Sequence, residues 1–213
     1  MTEPTDRTRV RRKAERGRYD DATIRSVLAE AIVGHVGFVV DGQPVVIPTA
    51  FAVVDDHLYV HGATGNAMLR ALASGASEAC VTVTLLDGLV LSRSAFHHSV
   101  NYRSVMVFGR GEAVTDVDEK RRAVMAIVDH VVPGRSCDTR PPTPEELRAT
   151  LVVRIPLTEA SAKVRTGPPV EDDADLGLPH WAGEVPLTVV RGDPVPDAMT
   201  AVGVPGYLSR STA

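Results

Sequence analysis

The chain has 213 residues, of which 44% are hydrophobic and 23% are charged, and this composition is typical of a globular protein with one buried core. Acidic residues outnumber basic residues by 27 to 23, which disfavours a protein that binds nucleic-acid backbones. Two cysteines exclude a disulfide-rich scaffold and provide no cysteine zinc motif. Charged residues interrupt every long apolar stretch, so we expect a cytoplasmic protein with free thiols and no membrane segment.

Both ends of the chain differ from its middle in composition. Residues 1–18 contain seven arginines and lysines and no apolar stretch, so we expect a solvated arm, with a dimer-wrapping arm or an anion contact as alternatives. Residues 191–213 are rich in Pro, Gly, Ser and Thr and are expected to form a loose tail. Residues 19–190 are expected to form one domain, in which the acidic stretch 171–175 is interpreted as a solvated loop.

The first predicted element is a helix that begins at an Asp20 or Asp21 cap, followed by apolar residues at helical spacing. Three strands come next, and an Asp-Gly pair at 41–42 predicts the hairpin turn between the first two. The second strand contains Pro48, which lacks a backbone donor and therefore marks a sheet edge, a bulge or a ligand approach. Short connections between consecutive strands predict an antiparallel meander.

The rest of the chain continues this pattern, so that the whole chain has at least seven predicted strands against four predicted helices. Its predicted boundaries are a helix cap at Thr64 or Asn66, an Asp-Gly turn at 87–88, a bulge at Gly109 and Gly111 within a strand from Tyr102 to Thr115, a helix cap at Asp118, and a capping box of Thr143 and Glu146. Because the strands dominate and follow one another, we expect a mainly β fold with peripheral helices, built as a closed or split antiparallel β-barrel.

Few local motifs point to chemistry. Residues 61–66 combine a strand end, small residues and polar side chains at a helix start, which predicts either an anion site or an ordinary connection. His97 and His98 are adjacent, and adjacent strand residues point to opposite faces, so we expect no metal site. Hydroxyl groups beside a guanidinium at 92–94 and 101–104 suit ligand binding better than nucleophilic attack.

Seven segments in this order resemble the pyridoxamine 5′-phosphate oxidase-related flavin-binding family, and within it the branch that includes nitroimidazole-resistance reductases. The match extends from Arg12 to Leu187, and the number and order of the segments make it specific. The segments are Gly42-Gln43-Pro44 with Ile47-Pro48, Leu58–Ala63, Leu89–Ser94, Asn101–Gly109, Pro133-Gly134-Arg135, Ser161–Arg165, and Trp181-Ala182-Gly183 with Pro186.

The resemblance implies an FMN-binding split β-barrel that forms a homodimer with FMN at the subunit interface. It implies that the strand at 47–49 lies against the isoalloxazine ring and that the 61–66 turn holds the ribityl chain and phosphate. The residues implied to bind the cofactor are Ile47, Pro48, Thr49, His61, Gly62, Ala63, Thr64, Asn66, Asn101, Tyr102, Arg103, Ser104, Lys163, Arg165 and Trp181. Some related split barrels bind a deazaflavin or haem, so these cofactors are the alternatives to FMN.

One departure from the family pattern concerns the phosphate. Many relatives carry a basic residue just after the position of Asn66, where this chain has Ala67 and Met68. A phosphate dianion needs guanidinium or ammonium partners, so another basic residue would have to supply them. The candidates are Arg70, Arg103, Lys163 and Arg165.

The function implied by the resemblance is that of an FMN-dependent oxidoreductase, which passes electrons from a reduced nicotinamide to a small organic acceptor such as a nitroaromatic. No side chain is assigned as a catalytic acid or base, and His61 and Tyr102 are the first candidates for mutation. A second hypothesis is a non-catalytic protein that stores or senses a flavin, a deazaflavin or haem. A third is a family member that retains only the fold and the dimer interface.

Overall fold

The computed structural model describes residues 3–75 and 77–208. This part of the chain contains ten strands and four α-helices. The helices are α1 Asp21–Glu30, α2 Ala67–Ala73, α3 Val117–Val131 and α4 Pro144–Ala149. The strands are β1 Gly17–Arg18, β2 Val33–Val40, β3 Gln43–Val54, β4 His57–Ala63, β5 Glu78–Leu91, β6 Ser99–Arg110, β7 Glu112–Ala113, β8 Thr150–Pro156, β9 Glu159–Arg165 and β10 Gly183–Pro186.

These strands form one antiparallel sheet in the spatial order β1-β9-β6-β5-β2-β3-β4-β8-β7, with β10 paired to β5. The sheet curls so that β8 approaches β6. A Cβ atom added at Gly109 of β6 would lie 3.0 Å from Cγ2 of Ile155 and 3.2 Å from Cδ of Pro156. A glycine therefore permits the close approach of two strands that are distant in the sheet order. The mainly β, antiparallel barrel with peripheral helices predicted from the sequence is confirmed.

The tight turn of the first hairpin follows from its local sequence. Asp41 and Gly42 have φ angles of 50° and 78°, and β2 and β3 pair directly on either side of them. Positive φ at both central residues is the two-residue hairpin geometry that an Asp-Gly pair favours. Asp55, with a φ of 53°, stands in the next turn, between β3 and β4.

Three helices begin at the capping residues that the sequence predicts. The Asp20 side chain accepts a hydrogen bond at the start of α1, and the Asn66 side chain does the same for α2. Thr143 and Glu146 exchange the two hydrogen bonds of a capping box at the start of α4. Each cap satisfies backbone donors that a helix leaves free in its first turn.

The predicted cap of α3 is wrong by two residues. Asp116, and not Asp118, accepts the hydrogen bond from the backbone N–H of Glu119, at 2.7 Å. The helix therefore begins at Val117, and Asp118 lies in its first turn, where a carboxylate interacts favourably with the positive end of the helix. Both aspartates suit a helix start, and the sequence pattern alone does not separate them.

The predicted Asp-Gly turn at 87–88 is also wrong. β5 continues through these residues as one strand, and its register against β6 shifts between Leu86 and Gly88, so that Asp87 forms a bulge. β10 pairs along this part of β5, and a Cβ atom at Gly88 would lie 3.1 Å from the carbonyl oxygen of Val185. The glycine thus serves a close approach of backbones.

The predicted bulge at Gly109 and Gly111 takes a different form. The pairing of Gly109 with β5 is regular, and the strand predicted from Tyr102 to Thr115 is interrupted at Gly111, which separates β6 from β7. A Cβ atom at Gly111 would lie 2.8 Å from Cγ1 of Val153. Both glycines are therefore explained by crowding against neighbouring elements.

Two apolar clusters hold the fold together. The larger one fills the barrel, and the smaller one lies between the sheet and α3. Full burial of one such side chain contributes about 1.5–3 kcal/mol. Members of the larger cluster include Leu28, Val36, Phe51, Leu58, Leu69, Val81, Val105 and Ile155. The smaller cluster consists of Ala52, Tyr59, Val114, Ala123, Ile127 and Val152.

The described part of the predicted N-terminal arm is attached to the sheet. Thr8 is buried, and the Arg7 guanidinium forms ion pairs with Glu78 and Glu159 while lying over the ring of Phe108. β1 then pairs with β9. Most other basic side chains of this segment are exposed. The first two residues of the predicted arm lie outside the described residues.

The C-terminal segment 187–208 contains no strand or α-helix, in keeping with the composition of the predicted tail. It is nevertheless attached near its end, where the Tyr207 hydroxyl donates a hydrogen bond to Asp138 at 2.7 Å and accepts one from Arg135 at 2.8 Å. The end of the predicted tail, 209–213, lies outside the described residues. None of the described helices is long and apolar enough to cross a membrane.

Candidate functional site

The residues implied by the family resemblance fall into two groups within one chain. The first group lies on β3 and on the connection from β4 to α2, and it consists of Ile47, Pro48, Thr49, His61, Gly62, Ala63, Thr64 and Asn66. The second lies on β6, on β9 and just before β10, and it consists of Asn101, Tyr102, Arg103, Ser104, Lys163, Arg165 and Trp181. β2 and β5 separate β3 from β6, a distance of about 14 Å along the sheet.

The β3 part of the first group lies at an open sheet edge. Residues 43–50 pair with β2, and pairing with β4 begins only at Phe51. Pro48 stands in this stretch opposite His35, which confirms the sheet-edge interpretation of the proline. Ile47 packs against the barrel core. The open edge leaves room for a ligand or a second chain beside Pro48 and Thr49.

The connection from β4 to α2 is short and uses its polar residues locally. The Asn66 side chain accepts a hydrogen bond from the Leu69 backbone at 3.1 Å and is therefore occupied as a helix cap. A Cβ atom at Gly62 would lie 3.0 Å from Cδ1 of Leu69, so the glycine lets α2 pack against the end of β4. Ala63 and Thr64 are exposed beside this contact.

His61 stands out in this group because one of its ring nitrogens has no partner. Its Nδ1 atom is buried and makes no hydrogen bond within the described residues. Burial lowers the pKa of the imidazole, because the charged form loses its hydration. His61 therefore offers a neutral imidazole, which is able to donate or accept a hydrogen bond or to ligate a metal.

Arg165 is the centre of the second group and is only 6% exposed. Its guanidinium donates hydrogen bonds to Oδ1 of Asn101 and to the carbonyl oxygens of Gly167 at 3.0 Å and Pro168 at 3.1 Å. Its Nε atom is buried without a partner in the described chain. Burial, followed by the nearby Arg16, lowers the pKa of the guanidinium. Within the part of the chain that the structure describes, the cation therefore binds no carboxylate directly and leaves one donor unused.

Asn101 connects this guanidinium to the strand β10. Its Nδ2 atom donates a hydrogen bond to Oε2 of Glu184 at 2.6 Å, while its Oδ1 atom accepts from Arg165. Trp181 lies just before β10 with 65% of its surface exposed, and its ring covers Gly183, where a Cβ atom would lie 2.9 Å from the indole. Asn101 therefore couples the position of the β10 strap, residues 181–186, to that of Arg165.

The register of β6 and β9 determines which side chains share a face. Tyr102 is opposite Arg165, and Ser104 is opposite Lys163, so these four side chains lie on the same face of the sheet. A phenol, a hydroxyl group and two cations together can bind an anionic ligand that also carries hydrogen-bonding groups. Arg103, which falls between the two pairs, points to the opposite face.

Arg103 is fully engaged by carboxylates. Its Nε and Nη2 atoms donate to Asp87 at 3.0 and 2.7 Å, and its Nη1 and Nη2 atoms donate to Glu30. These hydrogen bonds raise the pKa of the guanidinium and lower the pKa of Glu30. Of the basic residues named as candidates for the phosphate, Arg103 is thus committed to joining α1, β5 and β6.

Two acidic residues near the second group were not identified from the sequence. Glu184 accepts the hydrogen bond from Asn101. Glu171 was interpreted as part of a solvated acidic loop, and this is wrong for its side chain, which is 4% exposed. Glu171 accepts hydrogen bonds from the Ser92 hydroxyl at 2.8 Å and from the Arg93 backbone at 2.6 Å, and it forms an ion pair with Arg93. Its partners are 78 and 79 residues away along the chain, so no local sequence pattern predicts the contact.

The family is established by comparison with known proteins. The sequence profile of the family described as pyridoxamine 5′-phosphate oxidase matches residues 20–164. This match covers more than half of the 213 residues, and the chain therefore belongs to this family. The resemblance identified from the sequence segments is confirmed, and so is the split-barrel fold.

Among solved structures, the flavocytochrome Anf3 from Azotobacter vinelandii is 38% identical to the chain, with a TM-score of 0.90 over 98% of this chain and 97% of that protein. The FAD and heme binding protein from Mycobacterium smegmatis is also 38% identical, with a TM-score of 0.84 over 89% and 93% of the two chains. The chain therefore has a split-barrel fold that binds flavin and haem in proteins of similar length.

The predicted branch of the family also has a counterpart among solved structures. A candidate 5-nitroimidazole antibiotic resistance protein from Bacteroides thetaiotaomicron is 26% identical, with a TM-score of 0.59 over 70% of this chain and 86% of that protein. No protein with a curated description matches the chain.

Proposed function

We propose that the chain is a flavin-dependent oxidoreductase, which passes electrons from a reduced nicotinamide to a small organic acceptor. A nitroaromatic compound is the acceptor that the similarity to a nitroimidazole resistance protein favours. The observation that carries the proposal is the buried guanidinium of Arg165. Among the described residues it binds no carboxylate directly, and its Nε donor has no partner. A buried, unpaired donor costs about 1–3 kcal/mol, and an acceptor atom of a flavin would remove that cost.

The residues around Arg165 fit a flavin. Lys163 and Arg165 supply positive charge for a phosphate, while Tyr102 and Ser104 supply hydrogen bonds on the same face. The exposed ring of Trp181 offers a surface on which an aromatic ring system packs. A bound flavin would supply the two-electron chemistry, and these side chains would bind it, orient it and exclude water.

The arrangement favours a homodimer. The two groups of implied residues are separated by β2 and β5 within one chain, so a single flavin contacts both more readily if a second chain supplies one of them. The open edge of β3 at residues 43–50 is where such a partner would approach. A two-fold dimer would repeat this contact and form two equivalent sites. We further propose a cytoplasmic location.

FMN is the flavin that the family resemblance implies, and FAD is the flavin named for the protein from Mycobacterium smegmatis. Both carry a phosphate and the same ring system, so the contacts proposed for Arg165 and Trp181 serve either. Analysis of the flavin released from the purified protein distinguishes the two. Release of FMN would agree with the family resemblance, and release of FAD would agree with the similarity to the protein from Mycobacterium smegmatis.

Haem is the second candidate ligand, and two observations favour it. Both structures that are 38% identical are described as a flavocytochrome or a haem-binding protein. Burial lowers the pKa of His61 and so favours the neutral imidazole, which is the protonation form that ligates haem iron. His61 is therefore the residue that we propose for haem ligation in this chain.

An absorption spectrum of the protein purified without added cofactor tests these proposals together. Flavin bands that bleach when a reduced nicotinamide is added without oxygen support the oxidoreductase. A haem Soret band that is lost in His61→Leu, but retained in His57→Leu on the same strand, supports haem ligation by His61. A bound flavin that no reduced nicotinamide bleaches favours the non-catalytic binding protein, and a colourless protein that takes up neither cofactor contradicts both proposals.

A further inference from the structure

Three side chains from two distant parts of the sequence meet at the surface. His97, Asp172 and Asp175 each offer one ligand atom, and these atoms lie within 4.8 Å of one another. His97 ends a short 3-10 helix, and Asp172 and Asp175 lie at the two ends of another, in the loop after β9. The Nε2 atom of His97 is 3.3 Å from the nearer carboxylate oxygen of Asp172. The histidine is therefore on a helical turn and not in the regular strand assumed from the sequence.

The two loops that carry these residues are fixed to each other by Glu171. Its buried carboxylate binds the hydroxyl of Ser92 and both the backbone and the guanidinium of Arg93. Glu171 directly precedes Asp172, so the anchoring point is next to the cluster. Glu171 therefore holds the two loops together without occupying any of the three ligand atoms. The loops need little further ordering to place these atoms around one ion.

The charge of the cluster is poorly compensated. Asp175 enters no ion pair with any described residue, and no described lysine or arginine pairs with Asp172, whose carboxylate contacts the His97 imidazole. The stretch 171–175 contains four acidic residues and no basic residue. The guanidinium of Arg93 pairs with Glu171 and not with the aspartates of the cluster. The cluster therefore presents net negative charge with an imidazole at its side.

We propose that His97, Asp172 and Asp175 bind one divalent transition-metal ion of the zinc class. One imidazole nitrogen and two carboxylate oxygens form a mixed donor set that suits Zn²⁺ and similar borderline ions, at metal–ligand distances of about 2.0–2.2 Å. The remaining coordination positions are filled by water, because the cluster is at the surface. The inference is independent of the proposed oxidoreductase function.

The ion has a structural consequence for the neighbouring site. The loop between β9 and Asp172 contains the carbonyl groups of Gly167 and Pro168, which accept hydrogen bonds from Arg165. An ion that joins this loop to His97 adds a second attachment beyond Glu171. Metal binding therefore stabilises the loop that holds the Arg165 guanidinium in place, and the folded protein as a whole.

Calorimetric titration of the untagged, metal-free protein with Zn²⁺ tests the proposal, and we expect one saturable site per chain. Asp175→Asn is compared with Asp173→Asn, which removes the same charge from the same loop outside the cluster. His97→Gln is compared with His98→Gln, its neighbour. We expect the affinity to fall at least about tenfold in the two cluster variants and to remain unchanged in the two controls.

A second measurement does not depend on variants. Addition of Mn²⁺ to the wild-type protein is expected to broaden the imidazole NMR signals of His97 more than those of the other histidines, and Zn²⁺ is expected to raise the melting temperature. The proposal is overturned if binding does not saturate at one ion per chain. It is also overturned if Asp173→Asn weakens binding as much as Asp175→Asn, or if the Mn²⁺ broadening occurs elsewhere.

Discussion

Two arginines on neighbouring strands of this protein have opposite surroundings. Arg103 on β6 meets two carboxylates, and its donors are satisfied by Asp87 and Glu30. Arg165 on β9 is more deeply buried and contacts a side-chain amide and two backbone carbonyl groups, and its Nε donor has no partner among the described residues. The first cation joins elements of the fold, while the second remains incomplete in the isolated chain.

This difference supports the structural role that we assign to Arg103 and the binding role that we propose for Arg165. A buried cation is expensive unless it is paired, so Arg165, which binds no carboxylate directly among the described residues, retains part of its desolvation cost. An anionic or carbonyl group of a ligand would offset that cost. Arg103 has no such deficit, because its neighbours have already raised the pKa of its guanidinium. The contrast predicts different outcomes when each arginine is changed.

The largest expected effect is that of Arg165→Met on flavin binding. Loss of charge-assisted hydrogen bonds to the flavin weakens binding roughly 10- to 100-fold. Fluorescence titration of the cofactor-free protein with FMN and with FAD measures this change. Arg165→Lys keeps the charge and is expected to lie between the wild type and Arg165→Met.

The unfolding midpoint of Arg165→Met without flavin serves as a control, because the variant also removes the donor to the side-chain Oδ1 atom of Asn101. A variant that is folded and binds flavin as tightly as the wild type would refute the role proposed for Arg165.

Arg103→Met is expected to affect stability instead of binding. Its ion pairs are partly exposed, with 29% exposure at the Arg103 and Asp87 side chains and 54% at Glu30, so their loss lowers the free energy of unfolding by about 1–2 kcal/mol. Urea unfolding measures this change. Flavin affinity is expected to stay within about twofold of the wild type, and a loss comparable to that of Arg165→Met would erase the distinction between the two arginines.

The Arg103 ion pairs also predict a dependence on pH. Hydrogen bonds from Arg103 hold the pKa of Glu30 below its ordinary value of 4.5. A carboxylate whose pKa is lowered by folding stabilises the protein above its unfolded pKa, and this contribution is lost as the pH falls towards the folded value. The stability difference between the wild type and Arg103→Met should therefore be full near neutral pH and should shrink below about pH 4.5. Urea unfolding across this range measures it, and a constant difference would contradict the assignment.

The smallest expected change in stability is that of His61→Leu. The variant removes a buried nitrogen that has no partner, so the free energy of unfolding of the cofactor-free protein should change by less than about 1 kcal/mol. Cofactor retention should nevertheless fall, because the neutral imidazole is lost. A large destabilisation without any change in cofactor content would show that His61 is only a packing residue.

Local chemistry made part of this structure predictable. The Asp41-Gly42 hairpin and the capping box of Thr143 and Glu146 depend on residues within three positions of one another, and both are observed. The same local logic was wrong at Asp87-Gly88, where pairing with the distant strand β10 overrides the turn preference. The order of the predicted strands and helices indicated a closed or split antiparallel barrel, and the family resemblance specified the split barrel.

The candidate site was less accessible to sequence reasoning. The resemblance named Asn101, Arg103 and Arg165 as one set of polar residues. The sequence does not show that Arg103 binds carboxylates, whereas Arg165 binds amide and carbonyl oxygens. Much of that distinction depends on long-range contacts, since Glu30 is 73 residues from Arg103 and Asn101 is 64 residues from Arg165. Only the folded chain brings these partners together.

A crystal structure of the flavin-loaded protein tests the central claim most directly. We expect an acceptor atom of the flavin to lie within hydrogen-bonding distance of the Arg165 Nε atom, while Arg103 keeps Asp87 and Glu30 as its partners. A flavin that leaves the Arg165 Nε atom unpartnered, or one that draws Arg103 away from its carboxylates, would contradict it.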